Sequence, residues 1–328
     1  MGTLERKGCV ACHSTDGTSR VGPSFRGLYW SFRNVTTDGN RRQIVADEAY
    51  VERSIRDPDA DVVVGFPRGN MPRFNLTAEE IKSIHVELKD MSNTVVPPRQ
   101  PSMVPFATSV LWFVGMHFVL SAIPVRKRLI AKLNDKGFSI LYSLVIAFGL
   151  VGIIWHFRSV PYIEIWAPPR WTRWVPILVM PIALLFMVLG FSTPGPTTVR
   201  QGERAKDENV VRGIQAVTRH PALWGFALWA LSHLATNGEL HVILLALGIL
   251  VLAVGGMIHI DARRRHDLGD AWTAFTDRTS IVPFAALLRG RTKLRLKDIG
   301  VIRPIITAVL YVGILHTHAL VIGASPFP

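Results

Sequence analysis

The chain has 328 residues, of which 49% are apolar and 19% are charged, and its mean hydropathy is +0.28. These values exclude an intrinsically disordered chain and a purely soluble protein. The formal net charge is +13, but residues 1–101 hold 14 Lys and Arg against 13 Asp and Glu. The remaining excess of positive charge lies between hydrophobic runs, as the positive-inside rule predicts for a membrane protein, which argues against a nucleic-acid-binding protein.

The two cysteines of the chain, Cys9 and Cys12, lie in the sequence CVACH. Two cysteines are too few for a disulfide framework or a four-cysteine zinc site. Two thiols one helical turn apart can each add to a vinyl group of a porphyrin, and the adjacent His13 then becomes the proximal iron ligand. A thioredoxin-like redox motif requires βαβ surroundings, which this sequence does not predict. The motif therefore predicts covalently bound haem c.

The sixth iron ligand of a c-type haem is usually a methionine or a histidine. The candidates in the first hundred residues are Met1, Met71, Met91 and His85. Met71 lies in the Pro- and Gly-bounded loop GNMPRF, before a helix whose N-terminus carries the capping box Thr77-x-x-Glu80. A methionine in a polar loop is poor core filler, so Met71 is the predicted distal ligand and His85, on the amphipathic final helix, is the competitor.

The stretches GCVACHSTDGTSRVGPSFRGLYWS and VADEAYVERSIRDPDADVVVGFPRGNMPRF resemble the cytochrome c domain attached to some subunits II of cytochrome c oxidase. The resemblance covers residues 5–90 and implies that Gly22-Pro23 packs on the proximal side of the haem. The Pro23 carbonyl would accept the ring N–H of His13 and so fix the imidazole. Since haem c is attached outside the bacterial cytoplasm, we expect an export segment upstream of residue 1.

Residues 93–102 (NTVVPPRQPS) are typical of a semi-rigid Pro-rich linker. Hydrophobic runs then predict six membrane spans, of which the fourth is short, at residues 103–123, 138–157, 174–191, 221–237, 239–260 and 301–322. The connections on one side carry 20 Lys and Arg, and those on the other side carry three. With six spans, the positive-inside rule places both termini in the periplasm of a bacterial inner membrane. The expected fold class is all-α: a small class I cytochrome c domain (1–92), the linker, and a helical membrane domain (103–325).

Histidines inside apolar spans are candidate functional groups. Those near the predicted spans are His117, His156, His220, His233, His241, His259, His316 and His318. For His241, His259 and His316 we favour hydrogen bonding across helices or at the interface. His220 and His233 lie ~20 Å apart along one helix, so they cannot bind the same iron. A membrane-embedded haem would need ligands from two different helices.

The stretches FVGMHFVLSAIPVRKRLIAKLNDKGF and VTRHPALWGFALWALSHLATNGEL resemble the NnrU family of denitrification-associated membrane proteins. The tail, with DARRRHDLGDAWTAFTDRTSIVPFAALLRGR and HALVIGAS, is similar to the related 15-cis-zeta-carotene isomerases, which hold haem b by two histidines. Carried over by motif, these ligands are His117 and His233. The other family histidines correspond to His156, His220 and His318.

The depths of these two histidines in the predicted spans disagree with this pairing. His117 is ~20 Å from the outer face, whereas His233 is only about four residues from it. His156 and His233 would be closer in depth, so both ligand pairs remain open.

Three functions follow as hypotheses. The first is a membrane-anchored electron-transfer protein, in which the periplasmic haem c exchanges electrons with haem b and with a periplasmic donor or acceptor, in nitrogen-oxide metabolism. The second is a redox-controlled haem b isomerase of the zeta-carotene type. The third is a membrane scaffold or regulator that carries haem c only. The sequence identifies neither a substrate nor an oligomeric state.

Overall fold

The computed structural model describes residues 2–37, 39–92, 102–157, 160–161, 163–198, 201–207, 209–322 and 326–327. The chain divides into two compact units, residues 1–102 and 103–328. Most of the predicted Pro-rich linker, residues 93–101, lies outside the described residues.

The described residues of the N-terminal unit form four helices and a small sheet. Its elements are α1 (Thr3–Arg6), α2 (Cys9–Cys12), β1 (Phe32–Thr37), β2 (Asn40–Val45), α3 (Glu48–Arg56), β3 (Val62–Val63) and α4 (Ala78–Asp90). The three strands form an antiparallel sheet in the order β2-β1-β3. The expectation of an all-α unit is therefore wrong here. The strand β1 (FRNVTT) is rich in β-branched residues, and Gly39 takes a φ of +85° in the turn that follows it.

Two side-chain caps fix the longer helices of this unit. Asp47 accepts a hydrogen bond from Tyr50 N (2.8 Å) at the start of α3. The predicted capping box of α4 is confirmed, since the side chains of Thr77 and Glu80 each accept a hydrogen bond from the backbone N–H of the other. The buried faces of α3 and α4 meet side chains of β1 and the first turns in one hydrophobic core, which includes Leu4, Tyr29, Val35, Val51, Ile55, Ile84 and Leu88.

The second unit is helical. Its helices are α5 (Val104–Ser121), α6 (Ile123–His156), α7 (Trp174–Ser192), α8 (Ile214–Val217), α9 (Pro221–Thr236), α10 (Leu240–Leu268), α11 (Asp270–Arg278), α12 (Ala285–Leu288) and α13 (Ile302–Ile322). Short 3₁₀ segments cover Arg170–Arg173, Gly202–Lys206 and Leu296–Asp298.

Five of the described helices are long and apolar enough to cross a membrane: α5, α6, α7 with its preceding turn, α10 and α13. The fourth of the six predicted spans corresponds to α9, whose 16 residues fall short of the ~20 that a bilayer requires. The second predicted span is the last part of α6, which has a kink at Asn134 (φ +57°). The Asn134 side chain accepts hydrogen bonds from the amides of Lys136 and Gly137, both at 3.0 Å, and so caps the part that follows the kink.

The long helices pack as a row in the order α6, α5, α10, α9, α7, α13. Small residues let α9 approach α7 closely. A Cβ on Gly225 would lie 2.7 Å from the Ala183 carbonyl oxygen, and one on Gly190 would lie 2.8 Å from Cα of Ala222. From Ala183 to Gly190 the chain advances along α7, whereas their contacts on α9 go back from Gly225 to Ala222. The two helices are therefore antiparallel. The short helix α9 is thus held between α7 and α10.

Candidate functional site

A cavity of about 240 Å³ lies inside the N-terminal unit. Cys9, Cys12, His13 and Met71 all line it. The helix α2 places the two thiols one turn apart, and His13 follows as its C-cap residue. The remaining lining is largely apolar and includes Leu28, Val51, Ile55, Phe74, Ile84 and Leu88. Thiols, an imidazole and a thioether around an apolar space form the donor set of a c-type haem, so the residues fit this group.

The ring of His13 is fixed from two sides. Its Nδ1 lies 2.7 Å from the Pro23 carbonyl oxygen, which can only accept, so Nδ1 carries the proton and donates it. The ring stacks on Phe25, with 4.5 Å between centroids and 15° between planes. This is the hydrogen bond that the resemblance to the cytochrome domain implies. It leaves the lone pair of Nε2 for a metal.

Burial lowers the pKa of His13, and the hydrogen bond to Pro23 opposes this effect. The ring is therefore neutral at pH 7, as a metal ligand must be. Gly22 is required next to it, because a Cβ at this position would lie 2.7 Å from Nδ1 and 2.9 Å from Nε2 of His13.

The other candidate distal ligands lie elsewhere. His85 is on α4, where its Nδ1 is hydrogen-bonded to the Tyr29 hydroxyl, and it is not among the residues that line the cavity. Met91 ends α4 and packs on the hydrophobic core. Met1 is outside the described residues. Met71 is therefore the candidate that lines the cavity together with His13.

His117 and His233 in the membrane unit share one hydrogen-bonding pattern. His117 Nδ1 donates to the Phe113 carbonyl (2.6 Å) and His233 Nδ1 to the Trp229 carbonyl (2.8 Å). In each helix the acceptor lies one turn earlier. Within the described residues, neither Nε2 has a hydrogen-bond partner, so both rings present a lone pair that could bind iron. This donor pair fits a haem held by two histidines.

The helix register gives the relative depths of these ligands. On α5, Phe106 contacts His241 and Ser121 accepts from His259, so α5 and α10 are parallel. Leu223 near the start of α9 lies against Gly256 near the end of α10, and only residues 237–239 join the end of α9 to the start of α10, so α9 is antiparallel to both. The same register separates His117 and His233 by roughly 10 Å along the bundle. Side chains lean toward the N-terminus of their helix, so these two lean toward each other and reduce that separation.

His156 is the alternative partner of His233. It ends α6, next to Phe157, which contacts Phe106 at the first turn of α5. The register therefore places it on the other side of His233 in depth. Because α6 and α9 run in the same direction, both side chains lean the same way. The inclination of the side chains therefore does not reduce the difference in depth between His156 and His233.

The remaining membrane histidines have protein contacts. His259 Nε2 lies 3.0 Å from the Ser121 carbonyl of the neighbouring helix, the expected bond across helices. His316 donates to Val312 of its own helix (2.8 Å), and His241 lies 3.5 Å from Glu239. His318 lies within electrostatic range of His233.

The RHP motif forms a buried ionic cluster that sequence reasoning missed. Asp261 on α10 accepts hydrogen bonds from Arg219 (2.6 and 2.9 Å) and from His220 Nε2 (2.7 Å). His220 is 2% exposed. The sequence carried one signal, since Asp261 is a single acid between an apolar run and three arginines.

The RTSIVPFAA segment docks directly on this cluster. The Ser280 carbonyl accepts from Arg219 N (3.0 Å), and the Ile281 carbonyl accepts from both the Thr218 hydroxyl (2.6 Å) and Trp224 Nε1 (2.8 Å). Arg219-His220-Pro221 and the RTSIVPFAA segment (residues 278–286) therefore form one structural element at the start of α9.

A comparison with protein families matches residues 105–326 to the family described as NnrU protein. The chain belongs to the NnrU family. The match covers the membrane unit, from the start of α5 to beyond α13, and includes His117, His233 and the Arg219–Asp261 cluster. Family membership and the apolar helices agree with a multi-pass membrane protein.

This NnrU-family chain is also similar to two plant enzymes. It is 31% identical over 116 residues to the chloroplastic 15-cis-zeta-carotene isomerase of Arabidopsis thaliana, covering 34% of this chain and 32% of that protein. It is 34% identical over 82 residues to the chloroplastic 15-cis-zeta-carotene isomerase of Zea mays, covering 25% and 22%. The chain thus matches a third or less of each of these relatives.

Proposed function

We propose that this NnrU-family protein carries a covalent haem c in its N-terminal unit, attached to Cys9 and Cys12 and ligated by His13 and Met71. The observation that carries the proposal is the cavity that all four residues line, together with the His13–Pro23 hydrogen bond. Phe25 and Gly22 hold the neutral imidazole in one orientation, and the apolar walls exclude water from the iron.

The second part of the proposal is a haem b in the membrane unit, held by His117 and His233. It is supported by the matching tautomers of the two rings and by their side chains, which incline toward each other from antiparallel helices. His156 remains the alternative to His117. When bound, each haem supplies a one-electron couple. Joining both sites in one chain raises their effective concentration, so that electron transfer between them becomes intramolecular.

The function proposed is electron transfer between a donor or acceptor in the bacterial periplasm and the membrane unit, within nitrogen-oxide metabolism. The 20 basic residues on one set of connections support a periplasmic position for both termini. This places the cytochrome domain where haem c is attached. Reporter fusions at the C-terminus and in the 124–136 connection test it, and a cytoplasmic C-terminus would contradict the topology.

Spectra of the reduced, pyridine-treated full chain test the haem content, because haem b and haem c absorb at different wavelengths. We expect one of each per chain, with haem c resistant to acid extraction. His233→Ala should remove haem b and leave haem c, whereas His259→Ala, at a histidine whose Nε2 already bonds to the Ser121 carbonyl, should retain both. A single haem per chain in membranes supplied with excess haem would overturn the electron-transfer proposal.

A second candidate function is a haem b isomerase, supported by the similarity to the 15-cis-zeta-carotene isomerases. The N-terminal unit would then keep the membrane haem reduced. Anaerobic incubation of the reduced protein with 15-cis-zeta-carotene distinguishes the two, since absence of the isomerised product removes this candidate. If haem c alone is found, the third hypothesis of a membrane scaffold or regulator takes the place of both.

A further inference from the structure

A cluster of arginines lies at the inner ends of α6 and α10, where the proposed function assigns no role. Arg126 and Arg263 interact electrostatically with each other, and Arg264 belongs to the same group. Asp261, two residues before Arg263, is paired with Arg219 and His220. The acid within electrostatic range of Arg263 is Asp267, one turn later on α10, which also lies 3.0 Å from His266. Positive charge is therefore in excess here.

Arg263 has no hydrogen bond or ion pair within the described residues. Arg126 reaches Asp135 at only 3.9 Å, and 80% of that carboxylate side chain is exposed. Arg126 instead lies over the ring of Phe138, 5.4 Å from its centroid. An exposed, distant ion pair contributes little stabilisation, so both guanidinium groups keep most of their capacity to bind an anion.

A chain of contacts joins this cluster to His117. The ring of His117 meets that of Tyr142 edge-on at 5.8 Å, and Tyr142 lies 6.0 Å from Phe138, over which Arg126 is placed. Arg263 is within electrostatic range of Tyr142. Two aromatic side chains thus link the cluster to a candidate iron ligand.

The register between α5 and α10 also places the Arg263 side chain toward the depth of His117. Because His259 is level with Ser121, Arg263 lies one turn beyond the end of α5, whereas His117 lies one turn before it. The long side chain of Arg263 leans back toward the start of α10, and therefore toward the depth of His117.

We propose that Arg263 and Arg126 bind the two propionate carboxylates of the haem b, with the porphyrin edge directed to the inner face of the bundle. This inference rests on the proposed function, specifically on His117 as an iron ligand. Propionates are carboxylates, the partner that a planar guanidinium binds through two hydrogen bonds. An anionic lipid headgroup is a competing occupant, but the link through Phe138 and Tyr142 to His117 favours an anion that belongs to an iron-bound group.

Esterified haem tests this without any substitution. The full chain, freed of its non-covalent haem, is titrated with haemin and with haemin dimethyl ester, whose carboxylates carry no charge. We expect haemin to bind about 10- to 100-fold more tightly, the range for one or two hydrogen bonds between charged groups. Equal affinity for the two would overturn the inference while leaving the haem b itself in place. No binding of either would overturn the haem b proposal as well.

Variants assign the preference to the two arginines. Arg263→Gln should remove most of the preference for haemin, and Arg263→Lys should retain part of it. The control is Arg265→Gln, which removes a charge from the same run at an exposed position. Arg263→Gln should also lower the midpoint potential of haem b, because a positive charge near the propionates disfavours the ferric state.

The lipid alternative is tested by the same titration in vesicles of phosphatidylcholine with and without phosphatidylglycerol. An effect of Arg263→Gln that appears only with the anionic lipid would overturn the inference and assign the arginines to a headgroup. An effect of equal size in both vesicles supports propionate binding.

Discussion

Gly22→Ala should distort the proximal side of the cavity more than its single added methyl group suggests. The new Cβ would lie 2.7 Å from Nδ1 and 2.9 Å from Nε2 of His13, closer than van der Waals contact allows. The ring cannot move away freely, because Phe25 stacks on it and the Pro23 carbonyl holds Nδ1 at 2.7 Å. Either the ring turns and loses the hydrogen bond, or the backbone at residues 22–23 shifts.

The two consequences set the size of the effect. Overpacking a tight site costs about 1–3 kcal/mol. Loss of one buried hydrogen bond adds about 1 kcal/mol. The free energy of unfolding of the N-terminal unit should therefore fall by about 2–4 kcal/mol. The same change should raise the midpoint potential of haem c, since an imidazole without its Nδ1 acceptor is a less basic ligand.

Denaturant titration of the full chain, followed by the absorbance of haem c, measures this loss. The control is Gly39→Ala, because Gly39 has a φ of +85° but no atom within 4 Å of its Cβ position. It should cost about 1–2 kcal/mol through backbone strain and leave the haem c potential unchanged. A Gly22→Ala protein with the stability and potential of the wild type would refute the reasoning.

Three further substitutions test other contacts. Met71→Ala should leave haem c covalently attached but lower its potential and admit imidazole, visible in the absorbance spectrum, whereas His85→Ala should leave that spectrum unchanged. Asp261→Asn removes the carboxylate from Arg219 and His220 and should lower the free energy of unfolding by about 3–5 kcal/mol. The loss of folded protein on heating in detergent measures this, and Asp267→Asn, at an exposed position near the end of α10, should have little effect. Thr77→Ala removes half of the capping box of α4 and should lower the denaturation midpoint by the equivalent of about 1 kcal/mol.

The sequence predicts those features of the N-terminal unit that depend on local spacing. The turn CVAC, the loop with Met71 and the cap of α4 each depend on residues a few positions apart, and the structure has them as helix, loop and cap. The sheet was missed, since β1 and β2 pair through a turn at Gly39 and β3 has only two residues. Short strands with charged residues lack the alternation that indicates a sheet.

Contacts between distant segments account for the rest. Hydropathy predicts the long helices of the membrane unit, but it does not predict the kink at Asn134 or the length of α9. Hydropathy also does not predict that Asp261 pairs with His220, 41 residues earlier. In the sequence Asp261 is only an acid beside three arginines, and its structural role depends on burial against α9. The difference in depth between His117 and His233 also depends on such contacts, because contacts of single side chains set the register between α5, α10 and α9.

The Arg219–Asp261 cluster has a consequence for His233 although it contains no candidate iron ligand. It fixes the start of α9 against α10, and the Ser280–Ile281 backbone closes over it. His233 lies 13 residues further along the same rigid helix, so its depth and direction are determined at this end. A loss of haem b in Asp261→Asn, at a distance of ~20 Å from His233, would therefore indicate displacement of α9 and not removal of a ligand. The segments Arg219-His220-Pro221 and Arg278–Ala286 act, on this reasoning, by positioning a histidine that lies outside both of them.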